Sequence, residues 1–511
     1  MTHPVTIGAV DAGTNAVRVV IARATRPGKY TRLHKERWPA RLGHQVFTQG
    51  RFGPHTLAQA VEAFQHFRDL FDRYQVDAYR TVATSATREA ENRPTLVERI
   101  RREANIRLDV ISGTEEARLT RIAVQHALDG QVAPELVVDI GGGSLELISL
   151  SDGRVVDSVS LPIGTVRLME TFGITGRIDA EEERMLRRYV TTLLDDYFEQ
   201  SPAGRRVAVG CGGNVEALAE LVGGPKRFGQ LNLDFSRLDI RMDDILRLDV
   251  PQRMAAFDVR RDRAEVMGIA AVVLASVGEY MRIGGLLAPD VGVREGVLVE
   301  LTSCALGADG SAGREQRRGG LVERAWRFAR RFQAGDEHAE CVRRLSLSIF
   351  DQLADHHRLG AEHRLALELG AILHDVGNAV SRQKHHKHGE YLVKNADIDG
   401  LGPELHGMVT ALVRHHAKSF PAKRHSTYSS LDEAAQSAVR KLAGILRIAD
   451  GLDAHYAQSV DSVDVSVEGA TAVFGLNHSQ PSELPALGAK QKGHLFEVAF
   501  ELEPIFKDAC A

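Results

Sequence analysis

Two stretches of the chain alternate short apolar runs with turn-forming residues, which is the pattern of paired β-strands. Residues 5 to 24, VTIGAVDAGTNAVRVVIARA, predict a strand, a tight turn and a second strand. Residues 135 to 161 predict the same arrangement, with SDG at 151 to 153 leading into a third strand. Aligned on their aspartates, the two stretches read VDAGTNA at 10 to 16 and VDIGGGS at 138 to 144, and we interpret them as an internal repeat.

Charged residues occupy equivalent positions after the two turns. Arg18 follows Asp11 by seven residues, and Glu146 follows Asp139 by seven. Side chains alternate between the two faces of a strand. We therefore expect Arg18 and Glu146 each to lie on the strand face that also carries the first residue after the turn. Two facing hairpins would then enclose a charged cleft.

Helical and strand-like patterns alternate through the first 300 residues. Apolar positions at helical spacing predict helices over 56–74, 89–104, 114–128, 180–200 and 262–283. Strand-like runs lie between them at 79–84, 107–111 and 206–210. This alternation is typical of α/β proteins, so we predict two related α/β domains.

The composition changes after this part of the chain. Residues 307–320, GADGSAGREQRRGG, lack apolar periodicity and predict a linker, and 321–459 has an almost wholly helical pattern. Thirteen of the 21 histidines fall between 338 and 455. Strand patterns return in SVDVSV, TAVFGL and LFEVAFELE, which predicts a small β-rich domain over 460–511.

Overall composition narrows the class of protein. A chain of 511 residues is too long for one core, and 43% hydrophobic with 26% charged residues is ordinary for a soluble globular protein. The net charge of −4 does not favour a nucleic-acid partner, and the longest apolar run, near 269–275, is too short to span a membrane. Four scattered cysteines without a C-x-x-C pair fit a reducing compartment, so we expect a cytoplasmic protein with no membrane partner.

The glycine-rich turns are candidate phosphate sites. A turn of this kind points successive backbone N–H groups into a concavity that suits phosphate oxygens. The residues in question are Thr14, Asn15, Gly141, Gly142, Gly143 and Ser144. A plain hairpin turn is the alternative interpretation of one such segment, but two copies, each preceded by an apolar strand and an aspartate, favour phosphate binding.

Carboxylates beside these turns are candidates for metal binding and catalysis. Asp139 and Glu146 are hard oxygen ligands of the type that Mg²⁺ takes alongside phosphate oxygens, although a turn-capping aspartate and a solvated strand glutamate would also explain them. In VISGTEEAR, Glu115 and Glu116 lie on the first turn of a predicted helix. The helix dipole alone accounts for acidic residues there, so their position does not choose between a structural and a catalytic role.

Five motifs together resemble one family. The segments AVDAGTNAVRVVIA, TVATSATREAEN, VISGTEEARL, VVDIGGGSLELI and GVREGVL occur in the order and approximate spacing of the exopolyphosphatase and guanosine pentaphosphate phosphohydrolase family. That family is a branch of the actin-like phosphotransferase superfamily, and the similarity spans nearly all of residues 5 to 300.

The resemblance implies an architecture with explicit boundaries. We expect an α/β fold class with two actin-like (ribonuclease H-like) domains, at 1–125 and 126–306. After the linker, an all-α HD-like domain over 321–459 and the small β-rich tail over 460–511 complete the chain. A homodimer is the expected oligomeric state.

The resemblance also implies roles for individual residues. Glu116 would be the general base that activates the attacking water, and Arg88 and Arg18 would neutralise the terminal phosphate. Asp139 and Glu146, together with Glu116, would hold Mg²⁺ or Mn²⁺. The turns at Thr14–Asn15 and Gly141–Ser144 would be the two phosphate loops, and positioning with charge neutralisation is what phosphoryl transfer needs.

One segment departs from the family pattern. A further phosphate loop usually reads Gly-Thr-Gly-Gly-Thr, whereas residues 210–218 read GCGGNVEAL. Gly212 and Gly213 keep the glycines, and Cys211 and Asn214 replace hydroxyl residues. This difference leaves the substrate preference open.

The histidine-rich region resembles the HD phosphohydrolase superfamily. His338, the adjacent His374 and Asp375, and Asp450 match its order of metal ligands, which implies a possible second divalent metal. Further candidates for a two-metal site are His385, His386, His388, His415 and His416. Interleaved basic residues support a cationic surface that guides polyphosphate instead of, or as well as, a metal site: Lys384, Lys387, Lys394, Arg414, Lys418, Lys423 and Arg424.

Three functions remain open on the sequence. The leading one is an Mg²⁺-dependent phosphoanhydride hydrolase that removes terminal phosphate from inorganic polyphosphate. The second is hydrolysis of guanosine pentaphosphate to the tetraphosphate in the same cleft. The third is a nucleotide phosphohydrolase in the HD-like domain, regulated by the actin-like half.

Overall fold

The computed structural model describes residues 4–151, 153–198, 207–306, 311–332, 336–396, 398, 401–478 and 483–508. The chain divides into two compact units, residues 1–310 and 311–511, and each is described by itself. Among the described residues, no helix is both long and apolar enough to cross a lipid bilayer. The described cysteines, Cys211, Cys304 and Cys341, are free thiols, and Cys510 lies outside the described residues.

The first unit is built on two sheets with helices between their strands. Its strands are Val5–Ala12 (β1), Val17–Arg26 (β2), Lys29–Trp38 (β3), Ala78–Ala83 (β4), Asp109–Val110 (β5), Leu136–Ile140 (β6), Leu145–Ser151 (β7), Arg154–Leu161 (β8), Ala208–Cys211 (β9), Leu231–Asp234 (β10) and Gly285–Ala288 (β11). Its helices are Gly43–Gln49 (α1), Pro54–Arg73 (α2), Ser85–Glu89 (α3), Arg93–Ala104 (α4), Gly113–Leu128 (α5), Thr165–Phe172 (α6), Ala180–Tyr197 (α7), Gly213–Val222 (α8), Phe235–Arg247 (α9), Val250–Phe257 (α10), Arg261–Tyr280 (α11) and Val293–Ala305 (α12).

The two sheets share one strand order, which confirms the predicted repeat. The first runs β3-β2-β1-β4-β5, and the second runs β8-β7-β6-β9-β11 with β10 added at its edge. In each sheet the first two strands of the repeat are antiparallel, β1 with β2 and β6 with β7. A later strand then pairs parallel with the first, β4 with β1 and β9 with β6. Asp11 pairs with Arg18 and Asp139 pairs with Glu146 in the same register, so the opposite charges occupy equivalent positions as expected.

The last helix of the first unit packs on the first sheet. Val297 and Leu298 of α12 lie in one hydrophobic cluster with Ile7 and Val20 of β1 and β2. The range predicted for the second domain, 126–306, therefore includes a helix that packs with the first domain. The sequence did not indicate that the chain returns to the first sheet at α12, because an apolar helix could pack on either sheet.

The second unit is mainly helical. Its helices are Ser311–Arg331 (α13), Asp336–Gln352 (α14), Ala354–His357 (α15), Ala361–Leu373 (α16), His385–Lys394 (α17), Pro403–His415 (α18), Ser426–Ser429 (α19), Glu433–Leu452 (α20), Leu484–Lys492 (α21) and His494–Phe500 (α22), with a 3₁₀ turn at Val376–Ala379. Its strands are Val460–Glu468 (β12), Thr471–His478 (β13) and Glu503–Asp508 (β14), and they form one sheet in the order β12-β13-β14.

Two predictions for this unit differ from the structure. Most of the predicted linker is helical, since α13 begins at residue 311, and residues 307–310 lie outside the described residues. The segment is held by a long-range ion pair that its composition did not indicate. Arg318 pairs with the buried carboxylate of Glu368, with 2.6 Å between Nε and Oε2. The segment LFEVAFELE, predicted as strand, instead forms α22 and then enters β14.

The helix α22 is explained by packing rather than by alternation. Phe496 and Phe500 stack with their ring centroids 4.4 Å apart, at the i, i+4 spacing of one helical face. Phe496 lies against Gly444 of α20, where an added Cβ would come within 2.9 Å of the Phe496 Cα. The tail and the helices share one hydrophobic core, which includes Phe474 of β13. Residues 460–511 therefore complete the helical unit instead of forming a core of their own.

Candidate active site and histidine cluster

A cavity of about 630 Å³ opens in the first unit between the two sheets. Twelve residues singled out in the sequence line it: Asp11, Thr14, Asn15, Arg18, Glu116, Asp139, Gly141, Gly142, Gly143, Ser144, Gly212 and Gly213. The cleft expected between the hairpins is therefore present, with both glycine-rich turns on its wall.

The turn between β6 and β7 is held by its carbonyl groups. Gly141 O accepts from Thr165 N at 3.1 Å, and Gly142 O accepts from Val166 N at 2.8 Å, so the turn is fastened to the start of α6. The amide groups of Gly142, Gly143 and Ser144 donate to no acceptor among the described residues. Successive free N–H groups at a cavity wall form an anion site.

The turn between β1 and β2 repeats this arrangement. Gly13 N donates to Ala16 O at 3.1 Å, as Gly141 N donates to Ser144 O at 2.9 Å in the other hairpin. The carbonyls of Thr14 and Asn15 accept from Gly43 and Arg41, whereas the amides of Thr14 and Asn15 have no acceptor within the described chain. The sequence repeat is thus also a repeat of hydrogen bonding.

Glycine is required by close approach at two of these positions. A Cβ on Gly143 would overlap the Ser85 hydroxyl and lie 2.7 Å from the Phe47 ring. Gly212 has a φ of 92°, in the left-handed region, and a Cβ there would lie 2.6 Å from Ile140 O. Gly212 thereby directs the chain from β9 into the first turn of α8, a third set of N–H groups at the cavity.

The two adjacent glutamates of α5 have different surroundings. Glu115 accepts hydrogen bonds from Arg80 at 2.9 Å and from Arg118 Nε at 2.6 Å, and it does not line the cavity. Burial acts to raise the pKa of Glu115, but the hydrogen bonds and charges of Arg118 and Arg80 outweigh it and lower the pKa. Glu116 lines the cavity and contacts Arg88, with 3.3 Å between Nη1 and Oε2. The structure therefore separates a structural glutamate from one available for chemistry.

Buried carboxylates concentrate negative charge beside the loops. Burial, followed by the charge of Glu146, raises the pKa of Glu116 well above its usual range. Burial raises the pKa of Asp139 to about 6, against a hydrogen bond from Thr120, and burial with the charge of Asp139 raises that of Glu146 to about 7. Carboxylates crowded in this way are stabilised when a cation joins them.

The carboxylates fit a cation that keeps part of its hydration shell. Among the described residues, the groups of three His, Cys, Asp or Glu side chains with ligand atoms within 4.8 Å of one another all lie in the second unit. The acidic cluster of the first unit is therefore more open than a closed chelate. Mg²⁺ is commonly held by one or two carboxylates plus waters and substrate phosphate, and this donor set matches that preference.

Two predicted residues lie behind the cavity wall rather than on it. Arg88 donates to Ile111 O at 2.9 Å as well as contacting Glu116, and it is not among the lining residues. Glu146 is 1% exposed and accepts from Ser160 Oγ at 2.8 Å. Both act on Glu116, since burial and then the charge of Glu146 raise the pKa of Glu116, and the charge of Arg88 lowers it.

Sequence reasoning missed further cationic residues of the wall. Arg294 and Arg263 line the cavity, and Arg263 donates to Asn214 Oδ1 at 2.6 Å. Arg294 lies inside the motif GVREGVL, so its position in a quoted motif was the available signal. Arg263 lies in the first turn of α11, within a run of charged residues that gave no such signal. The Asn214 that departs from the family pattern thus orients an arginine.

Comparison with known proteins assigns the family. A model of the Ppx/GppA phosphatase family matches residues 20–304, which contain every residue of the second loop and Glu116. The chain belongs to the Ppx/GppA phosphatase family. It is a phosphoanhydride hydrolase with the actin-like fold of that family, and a model of Ppx/GppA phosphatase domain III matches residues 323–480.

Two curated relatives of the Ppx/GppA family differ in how much they share with the chain. A guanosine-5'-triphosphate,3'-diphosphate pyrophosphatase of Aeromonas hydrophila is 24% identical over 448 residues, which is 86% of each protein. Exopolyphosphatase 2 of Mycobacterium tuberculosis is 30% identical over 291 residues, which is 54% of this chain and 91% of the relative.

Solved structures of exopolyphosphatase-related proteins resemble more than half of the chain. The Ppx/GppA family member of Aquifex aeolicus is 27% identical with a TM-score of 0.50, over 58% of this chain and 97% of its own. An exopolyphosphatase from Cytophaga hutchinsonii is 24% identical with a TM-score of 0.53, over 58% of this chain and 98% of its own, and shares the fold.

The second unit of this Ppx/GppA protein brings the predicted HD residues together. His338 and His374 have their Nε2 atoms 3.2 Å apart, and Asp450 Oδ1 lies 3.6 Å from His338 Nε2. Asp375 Oδ2 lies 3.8 Å from His374 Nε2. All four predicted residues therefore face one another at the junction of α14, α16 and α20.

Of the five further histidine candidates, two join this cluster. His385 and His416 have their Nε2 atoms 2.9 Å apart and both approach Asp375. His415 points away, since its Nδ1 donates to Ser419 O at 3.0 Å. His386 and His388 belong to neither group of clustered ligand atoms found among the described residues.

The predicted basic surface is mostly exposed. Six of its residues are exposed, namely Lys384, Lys387, Lys394, Lys418, Lys423 and Arg424. Arg414 is buried and forms an ion pair with Glu390, with 2.9 Å between Nε and Oε2, so it does not contribute a free charge. The exposed residues remain candidates for electrostatic contact with a polyanion.

Proposed function

We propose that the protein is an exopolyphosphatase that hydrolyses the terminal phosphate of inorganic polyphosphate in the cavity of the first unit. The observation that carries this proposal is the chemistry of the wall. Two loops offer free amides, and Arg18 forms no ion pair with any residue that the structure describes. No aromatic ring lines the cavity in the described part of the chain, so a stacking surface for a purine is missing there while phosphate ligands are abundant.

Glu116 would act as the general base. Water attacks the terminal phosphorus, Glu116 accepts a proton from that water, and the phosphoanhydride P–O bond breaks with its electrons leaving on the shortened chain. A carboxyl group with a raised pKa is better matched to proton transfer near neutral pH than an ordinary one. Arg18 and the loop amides hold the terminal phosphate in line with the water.

Asp139 and Glu116, which line the cavity, would hold a divalent cation, Mg²⁺ or Mn²⁺, and Glu146, which lies behind the wall, would add its charge beside Asp139. When bound, the cation supplies neutralisation of phosphate charge, which the transition state of phosphoryl transfer requires. The buried carboxylates fit it because their mutual repulsion is otherwise uncompensated.

Hydrolysis of guanosine pentaphosphate is the second candidate. It is favoured by the similarity to the pyrophosphatase of Aeromonas hydrophila, which extends over 86% of both proteins, whereas the exopolyphosphatase relative covers 54% of this chain. The same cavity and the same Glu116 would serve it, with a terminal phosphate again removed.

Parallel assays test the proposal. Phosphate release is measured from polyphosphate and from guanosine pentaphosphate at equal concentrations of terminal phosphate, with and without Mg²⁺. We expect the larger kcat/KM on polyphosphate and no release without the cation. A larger kcat/KM on guanosine pentaphosphate would overturn the first candidate in favour of the second.

Asp139→Asn is expected to raise the Mg²⁺ concentration needed for half-maximal activity. Removing one carboxylate weakens a cation site that rests on only a few protein ligands. The measurement is a Mg²⁺ titration of phosphate release, with Asp157→Asn on the exposed face of β8 as the matched control. Identical titration curves for Asp139→Asn and the wild type would show that Asp139 does not bind the cation and only caps the turn.

Charge reversal on the second unit is expected to weaken the binding of long polyphosphate chains more than the binding of short ones. The triple variant Lys384→Glu, Lys387→Glu, Lys423→Glu should raise KM for chains of hundreds of phosphates and leave triphosphate unchanged, because each basic contact adds affinity along a polyanion. The fall of affinity with salt should also become shallower in this variant.

A matched control reverses three exposed charges elsewhere in the same unit, at Arg440, Lys490 and Lys507. Equal effects of the two triple variants would show that net charge, rather than this surface, governs long-chain binding.

A further inference from the structure

Arg167 makes three contacts beside the second phosphate loop without lining the cavity. It lies in the first turn of α6, where its Nε donates to Gly143 O at 2.6 Å. Its guanidinium carbon lies 4.1 Å from the centroid of the Phe47 ring, and its Nη2 forms an ion pair with Glu89. A residue of α6 is thus bound both to the loop and to two earlier helices, α1 and α3.

Neither the helix nor the ion pair explains this arginine. The N-terminal end of a helix carries partial positive charge, so a cation in the first turn is unfavourable to the helix. The Glu89 side chain is 43% exposed, and an ion pair in contact with water contributes little stability. What remains is the hydrogen bond to the loop, together with the stacking on Phe47 that orients the guanidinium.

The loop turns three successive carbonyls toward α6. Backbone amides of α6 donate to Gly141 O and Gly142 O, at distances of 2.8 to 3.1 Å. The third carbonyl, Gly143 O, accepts instead from the side chain of Arg167. Arg167 therefore does at Gly143 what the helix backbone does at the two preceding residues.

Holding a carbonyl also fixes the amide that follows it. A trans peptide is planar, and its C=O and N–H point in opposite directions. Each carbonyl held by α6 thus orients the N–H of the next residue. These are the amides of Gly142, Gly143 and Ser144, which have no acceptor in the described parts of the chain. Arg167 controls the last of them, because it binds the carbonyl of the peptide unit that carries the Ser144 N–H.

The ion pair of Arg167 connects the loop to the helix that carries Arg88. Glu89 follows Arg88 directly in α3. Arg88 in turn contacts the proposed general base, with 3.3 Å between Arg88 Nη1 and Glu116 Oε2. Arg167 therefore joins the loop that would hold the terminal phosphate to the helix whose arginine contacts the base.

We propose that Arg167 is a positioning residue for the proposed hydrolysis, on which this inference rests. It turns the Ser144 amide toward the terminal phosphate and holds the loop against α3, so that phosphate, water and Glu116 lie in line. Arg167 is not a lining residue of the cavity, so it acts through the loop and not on the substrate. A misplacement of about 1 Å in such a site costs roughly 10²-fold in rate.

Steady-state kinetics of Arg167→Gln test this proposal. We expect kcat for polyphosphate to fall about 10- to 10²-fold and KM for long chains to change less than about threefold. The two constants separate because a long chain keeps its other contacts when one amide at the terminal phosphate is misdirected. The matched control is Arg187→Gln, which removes an arginine that pairs with Glu183 within α7 at 2.8 Å. Its kcat should equal that of the wild type.

Two further substitutions test how Arg167 acts. Arg167→Lys keeps the charge and can reach Gly143 O or Glu89 but not both, so kcat should recover only in part. Glu89→Ala should lower kcat about threefold or more, and adding it to Arg167→Gln should lower kcat no further, because Glu89 acts through the arginine. No loss in Glu89→Ala, or additive losses in the double variant, would overturn the connection to α3.

A kcat equal to that of the control would overturn the positioning role. Thermal unfolding identifies a temperature at which all variants are folded, and a merely structural role would leave kcat and KM unchanged there. If Arg167→Gln does not fold, Arg167→Lys decides by the same comparison with the control.

The substrate assignment fails or holds separately. If the wild type prefers guanosine pentaphosphate, the proposed exopolyphosphatase function is wrong, and the fall of kcat in Arg167→Gln is expected on guanosine pentaphosphate instead. An unchanged kcat on whichever substrate the wild type prefers would overturn the role of Arg167 and leave the substrate assignment intact.

Discussion

Glu116→Gln is expected to reduce phosphate release from polyphosphate roughly 10²- to 10⁴-fold while leaving polyphosphate binding nearly unchanged. The amide keeps the size of the side chain but cannot accept the proton of the attacking water. The contact with Arg88, at 3.3 Å, can be kept by the amide oxygen, so the fold of the site should survive. Single-turnover phosphate release and equilibrium binding of polyphosphate measure the two quantities separately.

Glu115→Gln is the matched control on the neighbouring position. Glu115 is engaged by Arg80 and by Arg118, and Arg118 also forms an ion pair with Glu300 at 2.5 Å, so this variant should lower thermal stability and change the rate little. If both variants lost activity equally at a temperature where both are folded, the assignment of Glu116 as the base would be wrong.

The repeat and its register could be predicted because they depend on local pattern. A strand that ends in Asp and Gly, followed by a second apolar alternation, leaves one register that buries both strands. The pairing of Asp11 with Arg18 and of Asp139 with Glu146 follows from that constraint. Long-range packing carries no such local signature. The range predicted for the second domain therefore includes α12, which packs on the first sheet, and α22 was predicted as a strand.

The loops of the candidate site could be predicted from the sequence, whereas its charged residues could be predicted only in part. One glycine-rich turn alone could be a plain hairpin turn, but two copies at the same position of a repeat allowed both loops to be predicted. The distinction between Glu115 and Glu116 depends on which helical face is buried beside Arg80 and Arg118, residues that are distant from each other in the chain. Arg263, in the first turn of α11, could not be found without the fold that brings it to the cavity.

The sequence also identified the histidine cluster only in part. The motif order pointed to His338, His374, Asp375 and Asp450, and the structure brings these four together. Of the five additional histidines, the choice of His385 and His416 needed the course of α17 and α18, because adjacent histidines on a helix face different directions. His415 and His416 are neighbours in sequence and only His416 reaches Asp375.

Arg18→Gln is expected to lower kcat/KM for polyphosphate about 10²- to 10³-fold, the effect of removing one preorganised donor to the transition state. Arg18 lies on the cavity wall with no ion pair among the described residues, so its charge is available to an anion. Arg18→Lys should recover part of the loss, since it restores the charge without the planar fork of donors. Arg23→Gln, exposed on the same strand, is the control.

A binding measurement separates this role from a structural one. Inorganic phosphate, the product, should raise the melting temperature of the wild type and of Arg23→Gln, and raise that of Arg18→Gln clearly less, because a ligand stabilises the folded state in proportion to its affinity. Without phosphate, Arg18→Gln should change the stability little. It removes the attraction between Arg18 and Asp11, but it also relieves the cost of burying a guanidinium that forms no ion pair among the described residues. A phosphate-induced shift of equal size in all three proteins would show that Arg18 does not contact the terminal phosphate.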